Sequence, residues 1–192
     1  IVLVHGLSVS SAYMIPLANA LAPNFPVFCP DLPGYGHSEK PEHVLNLQEL
    51  AAALVDWMAV IGLGRAVMLG NSMGCQIILE VAHAHPQLVE RAVLVGPTMD
   101  PHAPGSISLI LRGAHNMLYE PISLIPVLVR DYWAAGLWRT FRTLRLAQRE
   151  PVRERLARMP VPALVVRGEH DSIAPQRWAE EAARLLPDGR LV

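Results

Sequence analysis

Five residues near the middle of the chain, Gly70-Asn71-Ser72-Met73-Gly74, have the types and spacing that nucleophilic attack on a carbonyl requires. Residues 65–69 before them form a short apolar run of strand length, and residues 75–84 after them have the length of a helix and are apolar on most sides. A serine placed between strand and helix, with glycine two before and two after, can sit on a bend too cramped for larger neighbours. Its hydroxyl then stands out from the sheet edge, beside the backbone N–H groups and positive dipole end of the helix N-terminus. Ser72 is the candidate nucleophile. An inert glycine-rich turn could share these five letters; the strand before and the helix after distinguish the two.

Attack at a carbonyl creates a negative oxygen that needs donors. His5-Gly6-Leu7 closes the apolar run of residues 1–4, and an N–H just past such a run can point where that oxygen forms. The Leu7 and Met73 N–H groups are the candidate oxyanion pair, with His5 read as a structural hydrogen-bonder rather than a base. The reaction also needs a carboxylate to hold a histidine in the right tautomer and stabilise its cation. Asp171, in Gly168-Glu169-His170-Asp171 after the apolar run 163–166, is the first candidate. Asp100, after the run 90–95, is its rival, and Glu169 ranks below both.

Several elements must position these groups. Short runs rich in β-branched residues recur at 1–4, 26–29, 65–69, 90–95 and 163–166, with a last one opening at Leu191. Helical patterns separate them: 11–21, then a stretch behind the capping box Asn46-Leu47-Gln48-Glu49, then 75–84, and one that Pro175 begins. Alternation of this kind predicts an α/β fold, a mostly parallel sheet with helices on both faces. The texture changes from residue 97 to 159, where strand-like runs vanish and arginines become frequent. The expected organisation is a first core part over 1–96, a helical cap insertion over 97–159 and a second core part over 160–192. With 192 residues, 52% of them hydrophobic and 17% charged, the chain can bury a sizeable core. A net charge of -1 gives no footprint for nucleic acid, and no apolar stretch is long enough for a membrane span. Two cysteines far apart, Cys29 and Cys75, make no disulfide framework, so a cytoplasmic setting is expected and both read as core residues.

His5-Gly6, the loop Asp31-Leu32-Pro33-Gly34-Tyr35-Gly36-His37-Ser38, the Ser72 pentapeptide, and Gly168 to Asp171 with Ile173 and Pro175 occur in an order that resembles the α/β-hydrolase fold superfamily, of the esterase, epoxide hydrolase and meta-cleavage product hydrolase type. The resemblance covers nearly the whole chain. It implies a serine hydrolase acting on carboxylic esters or lactones through an acyl-enzyme, with a small-molecule carbonyl substrate and no metal or organic cofactor. A carbon–carbon bond hydrolase of meta-cleavage type and a non-catalytic hydrolase-like binding protein are the alternatives.

The triad in this superfamily runs serine, acid, histidine. None of the eight histidines, His5, His37, His43, His83, His85, His102, His115 and His170, stands in that order after Asp171 in a family-like setting. The chain opens on Ile1 inside an apolar run and stops at Val192 in another, so the expectation is truncation at both ends, with the catalytic histidine beyond Val192. His102 and His115 could contribute only if the cap folds over the serine. Arg112, Arg130, Arg139, Arg142, Arg145 and Arg149 of the insertion could attract an anionic substrate or simply face solvent. Trp133, Trp138 and Phe141 could line an acyl pocket or pack the cap onto the body.

Overall fold

The computed structural model describes residues 1–102 and 105–192, without the side chains of residues 106 and 107. Residues 103 and 104 of the expected insertion lie outside the described residues. Five strands run parallel in chain order: β1 (Val2–Val4), β2 (Ala66–Asn71), β3 (Val89–Val95), β4 (Ala163–Val166) and β5 (Gly189–Leu191). The first crossovers carry α1 (Ser11–Leu21), α2 (Leu47–Val60) and α3 (Met73–Ala84), and α8 (Gln176–Leu185) joins β4 to β5. Between β3 and β4 the regular structure is wholly helical: α4 (Ser106–Asn116), α5 (Ile125–Ala135), α6 (Leu137–Ala147) and α7 (Val152–Ala157), with short 3₁₀ turns.

Expected and observed elements differ most at residues 26–29. No full strand forms there. Phe28 makes a single parallel bridge to Val2, with the Leu3 N–H donating to Phe28 O at 2.8 Å and the Phe28 N–H to Ile1 O at 2.9 Å. Pro26 and Pro30 flank the bridge and bring no N–H of their own, which confines the pairing to one residue on the sheet's edge.

That bridge nonetheless fixes the topology. From β1 the chain goes outward to Phe28 on one side, then crosses back to β2 on the other. Parallel crossovers are right-handed, so reversing direction puts α1 on the face opposite α2, α3 and α8. The ends of β1 and β2 therefore flank the place where winding reverses, and the loops that leave them diverge and open a crevice at the strands' carboxyl ends. Leu7 and Ser72 lie on those two loops.

The core explains the rigidity of this frame. Val2, Leu3 and Val4 are completely buried, as a central strand covered on both faces must be. Leu50, Leu54 and Met58 recur at helical spacing on α2 and share one core cluster with Ile77, Ile78 and Val81 of α3. Asn46 caps α2 with the reciprocal box read from the sequence: the Glu49 N–H donates to Asn46 Oδ1 and the Asn46 N–H to Glu49 Oε2. Trp178 of α8 is fully buried, and its indole N–H donates to Pro97 O at 2.8 Å. Burying a side chain of this size contributes about 2–3 kcal/mol.

Candidate active site

Ser72 adopts φ 55° and ψ -117°, a conformation that side chains seldom take. Close packing leaves it no alternative. A Cβ on Gly70 would come within 2.5 Å of the Gly74 carbonyl carbon, and one on Gly74 would meet the Val4 carbonyl oxygen. Only glycine at both positions lets β2, the bend and α3 pass each other. The Ser72 N–H donates to Val95 O at 2.9 Å and the Cys75 N–H to Ser72 O at 3.0 Å, tying the bend to β3 and to the first turn of α3. Met73 is the first residue of α3, so its N–H has no partner within the helix. Among the described residues neither Met73 N–H nor Leu7 N–H is spent on another backbone acceptor.

The loop carrying Leu7 is held from below. His5 is completely buried; its Nδ1 lies 2.9 Å from Gly6 O, and its Nε2 accepts the Leu32 N–H at 3.0 Å. That pattern requires the neutral ring with its proton on Nδ1. Burial pushes the His5 pKa below the ordinary histidine value, against the opposing pull of the Gly6 carbonyl and of Asp31 and Asp131. His5 is thus a structural hydrogen-bonder, as its position suggested. Asp31 anchors the neighbouring loop by accepting the Ser11 N–H at 2.7 Å and the His37 N–H at 2.8 Å. Gly36, at φ 53°, has no room for a Cβ beside that carboxylate. Burial would raise the Asp31 carboxyl, but these amide bonds hold it below the usual carboxylate range.

A cavity of about 560 Å³ lies above the bend, lined by Leu7, Ser72, Met73, Gly96 and Asp171 from the body. Leu109, Ile110, Leu128, Val129, Tyr132, Thr140 and Leu144 of the helical segment line it as well. Asp171 Oδ1 accepts the Ile173 and Ala174 N–H groups at 2.8 and 2.9 Å, and Oδ2 lies so close to Gly96 that a Cβ there would be 2.7 Å away. Asp100 is elsewhere. It does not line this cavity; its side chain is buried against Arg112 at 3.1 Å and Arg177 at 3.4 Å, and it accepts the His102 N–H at 2.9 Å. Burial would raise its carboxyl, but the His102 amide and the two guanidiniums hold it below the ordinary range. Of the two rivals, only Asp171 shares a cavity with Ser72.

Among the described residues no histidine lines the cavity. His170 is exposed and stacks on Tyr119 at 4.8 Å, while His102 reaches Glu181 at 2.9 Å. The arginines of residues 97–159 do not line it either. Arg112 goes to Asp100, Arg130 to Asp131, and Arg139 donates to Pro41 O at 2.9 Å. Trp133 and Trp138 do not line this cavity and do not pack onto the body; they are 90% and 73% exposed. Helical spacing gives a stripe but not its direction: α5 turns Leu128, Asp131 and Ala135 inward, and α6 turns Thr143, Leu144 and Ala147 inward. Cys75 is buried, donating to Gly70 O, and burial raises its pKa, as burial raises that of Cys29 to about 12. Cys75 is a core residue as expected, whereas Cys29 is only half-buried and lies outside the core cluster.

The helical segment is bolted to the body by polar contacts that the sequence did not disclose. Ser8 Oγ and Thr140 Oγ1 are 2.6 Å apart, Tyr35 Oη donates to Thr143 Oγ1 at 2.9 Å, and the Ser10 N–H donates to Asp131 Oδ2 at 2.8 Å. Tyr13, Asn116 and Glu120 also line the cavity and were not singled out beforehand. They come from α1, the end of α4 and the turn beyond it, and no short motif links them.

A parallel sheet that reverses its winding at β1, a strained serine on a strand-to-helix bend and a cavity roofed by helices inserted after β3 together define an α/β-hydrolase. The family model described as alpha/beta hydrolase fold matches residues 1–119, and a second, described as TAP-like protein, matches residues 126–192. The chain belongs to the α/β-hydrolase fold family.

Among its relatives, an uncharacterized protein of Mycobacterium tuberculosis is 30% identical over 128 residues, 65% of this chain and 38% of the relative. The pimeloyl-[acyl-carrier protein] methyl ester esterase of Vibrio cholerae is 35% identical over 106 residues, 55% of this chain and 40% of the esterase. In those pairs the match spans about two fifths of the relative's length. Among solved structures, an esterase from Thermogutta terrifontis has a TM-score of 0.83 at 22% identity and the enol-lactonase from Burkholderia xenovorans LB400 has 0.80 at 24%. Each covers 100% of this chain, which in turn covers 79% and 80% of those chains. Among the described residues no helix is long and apolar enough to cross a membrane.

Proposed function

We propose that this chain carries the nucleophile, the acid and the oxyanion donors of a serine hydrolase for carboxylic esters or lactones. The observation that carries the proposal is Ser72, held at φ 55° on the floor of a cavity that Leu7, Met73 and Asp171 also line. The relative that is a methyl ester esterase and the fold shared with an esterase and an enol-lactonase support the same substrate class.

In this mechanism Ser72 Oγ bonds to the substrate carbonyl carbon as its proton passes to a histidine. The Leu7 and Met73 N–H groups stabilise the oxygen that becomes negative. The histidine returns the proton to the departing alkoxide, leaving an acyl group on Ser72, and water repeats the sequence to release the acid. Asp171 would fix the histidine's tautomer through Oδ2, since Oδ1 is already engaged by two backbone amides. Among the described residues no histidine lines the cavity, so the reading leaves the base to a residue outside these 192. Residues 97–159 would act as the cap that shapes the acyl and alcohol pockets. The chemistry calls for no cofactor.

Labelling of the whole protein with a fluorophosphonate tests this reading, together with a panel of aryl esters of graded chain length. Labelling and hydrolysis that both disappear in Ser72→Ala are expected. Labelling that survives in Ser72→Ala would move the nucleophile elsewhere, and its absence in the wild-type protein would favour a non-catalytic binding role.

A further inference from the structure

The Ser72 cavity is apolar along most of its wall, yet it holds a carboxylate that the chemistry described above does not use. Glu120 follows α4 and a short 3₁₀ turn, and it lines the cavity with Tyr13 of α1 and Asn116 at the end of α4. The Tyr13 hydroxyl lies 3.1 and 3.2 Å from the two Glu120 carboxylate oxygens, and Asn116 Nδ2 lies 3.3 Å from Oε1. A hydroxyl has one proton to share between two oxygens, whereas a carboxylate offers about four acceptor sites. Two neutral donors at these lengths leave acceptor capacity unused.

Four other half-buried or buried acids find a guanidinium, whereas Asp31, Asp171, Glu150 and Glu180 are half-buried and make do with amide donors among the described residues. Asp100 faces Arg112 and Arg177, Asp131 faces Arg130, Glu80 faces Arg155 and Glu181 faces Arg153. Glu120 has no ion pair among the described residues, and no lysine, arginine or histidine lines its cavity. Tyr13 is held in its protonated, donating form: burial and the adjacent Glu120 carboxylate both raise its pKa. An anionic acid left without a cation in a cavity of low polarity attracts a cationic or donating ligand and repels an anionic one.

We propose that Glu120, steered by Tyr13 and Asn116, is the specificity pole of the Ser72 cavity and selects substrates bearing an ammonium or another hydrogen-bond-donating group while excluding carboxylate-bearing ones. The inference rests on the serine-hydrolase reading for its kinetic arm only. Arg112, Arg130 and Arg139 of the helical segment are committed elsewhere, and none of the segment's described arginines lines the cavity.

The test uses three p-nitrophenyl esters of equal acyl length that end in methyl, ammonium or carboxylate, with the wild-type protein, Glu120→Gln and Tyr13→Phe. The readout is the ratio of kcat/KM for each charged ester to that for the methyl ester within each protein. A charge-assisted contact predicts that the ammonium ratio falls about tenfold or more in Glu120→Gln while the carboxylate ratio rises, with KM carrying the change. Tyr13→Phe should shift both ratios in the same sense by a smaller factor, because the carboxylate stays but loses its steering contact. Ratios unchanged within about twofold in Glu120→Gln would overturn the proposal, since a merely structural tie between α1 and α4 would affect the three esters alike. Calorimetric titration with n-pentylammonium and with pentanoate separates this from the hydrolase reading. If no ester is turned over, preferential binding of the ammonium that Glu120→Gln abolishes still supports the pole, and equal binding of both ions refutes it.

Discussion

Replacing Ser72 by glycine and by alanine separates the strain of the bend from the chemistry of the hydroxyl. Both variants lack Oγ, so its contacts cancel in the comparison. Alanine must keep φ 55° and ψ -117°, and a non-glycine residue in so sparsely populated a region costs about 1–3 kcal/mol. Glycine relieves that strain but gives back about 0.4–1 kcal/mol through the greater freedom of its unfolded chain. It also gives up a half-buried methyl group worth about 0.4 kcal/mol, half the value of a fully buried one. The balance leaves Ser72→Gly more stable than Ser72→Ala by about 1 kcal/mol. For a domain of this size that is a rise of about 2–4 °C in Tm. Urea denaturation and thermal melting of the two variants, followed by tryptophan fluorescence, measure it. A Ser72→Gly protein that melts at or below Ser72→Ala would refute the claim that packing around Gly70 and Gly74 forces the serine into a strained state.

Other perturbations probe the parts around that bend. Gly74→Ala puts a methyl group on the Val4 carbonyl oxygen, so the urea midpoint should correspond to a loss of about 3 kcal/mol; an unchanged midpoint would mean that α3 and β1 can separate freely. Asp171→Asn should lower kcat/KM on the whole protein by about ten-thousand-fold, as loss of the correct histidine tautomer does, whereas Asp100→Asn should leave fluorophosphonate labelling in place. Asp100 is held below its unfolded pKa, so its contribution is present above about pH 4 and is lost as pH falls through the folded value; acid titration of stability should show a shallower loss in Asp100→Asn. His5 is held below its unfolded value as well, and the unfolded chain takes up a proton the folded chain refuses. Stability should therefore fall as pH drops below about 6.5, with a slope that disappears in His5→Gln.

Much of the frame was legible because its signals are local. The Asn46 and Glu49 box, the apolar run before Gly70, and Pro175 ahead of α8 each state a constraint within a few residues, and the elements begin and end close to where those constraints place them. The segment at Phe28 departs from expectation because strand pairing is set by neighbours and not by propensity alone. The directions of Trp133 and Trp138 were not legible for a related reason. A helix with apolar residues on several sides does not declare which side the body will cover, and buried Asp131, bound by Ser10, decides the rotation of α5.

The sequence by itself determined the serine's setting. Glycine at 70 and 74 flanks Ser72 between an apolar strand and a helix, and steric crowding across that interval follows from residue size alone. Only the tertiary structure decided which carboxylate shares the serine's cavity. Asp171 and Asp100 each follow a strand at the same sheet edge, and Arg112 of α4 and Arg177 of α8 claim Asp100. It also decided that Glu120, unremarkable in the chain, meets Tyr13 in that cavity without a cation, because charge pairing is a property of which surfaces the fold brings together.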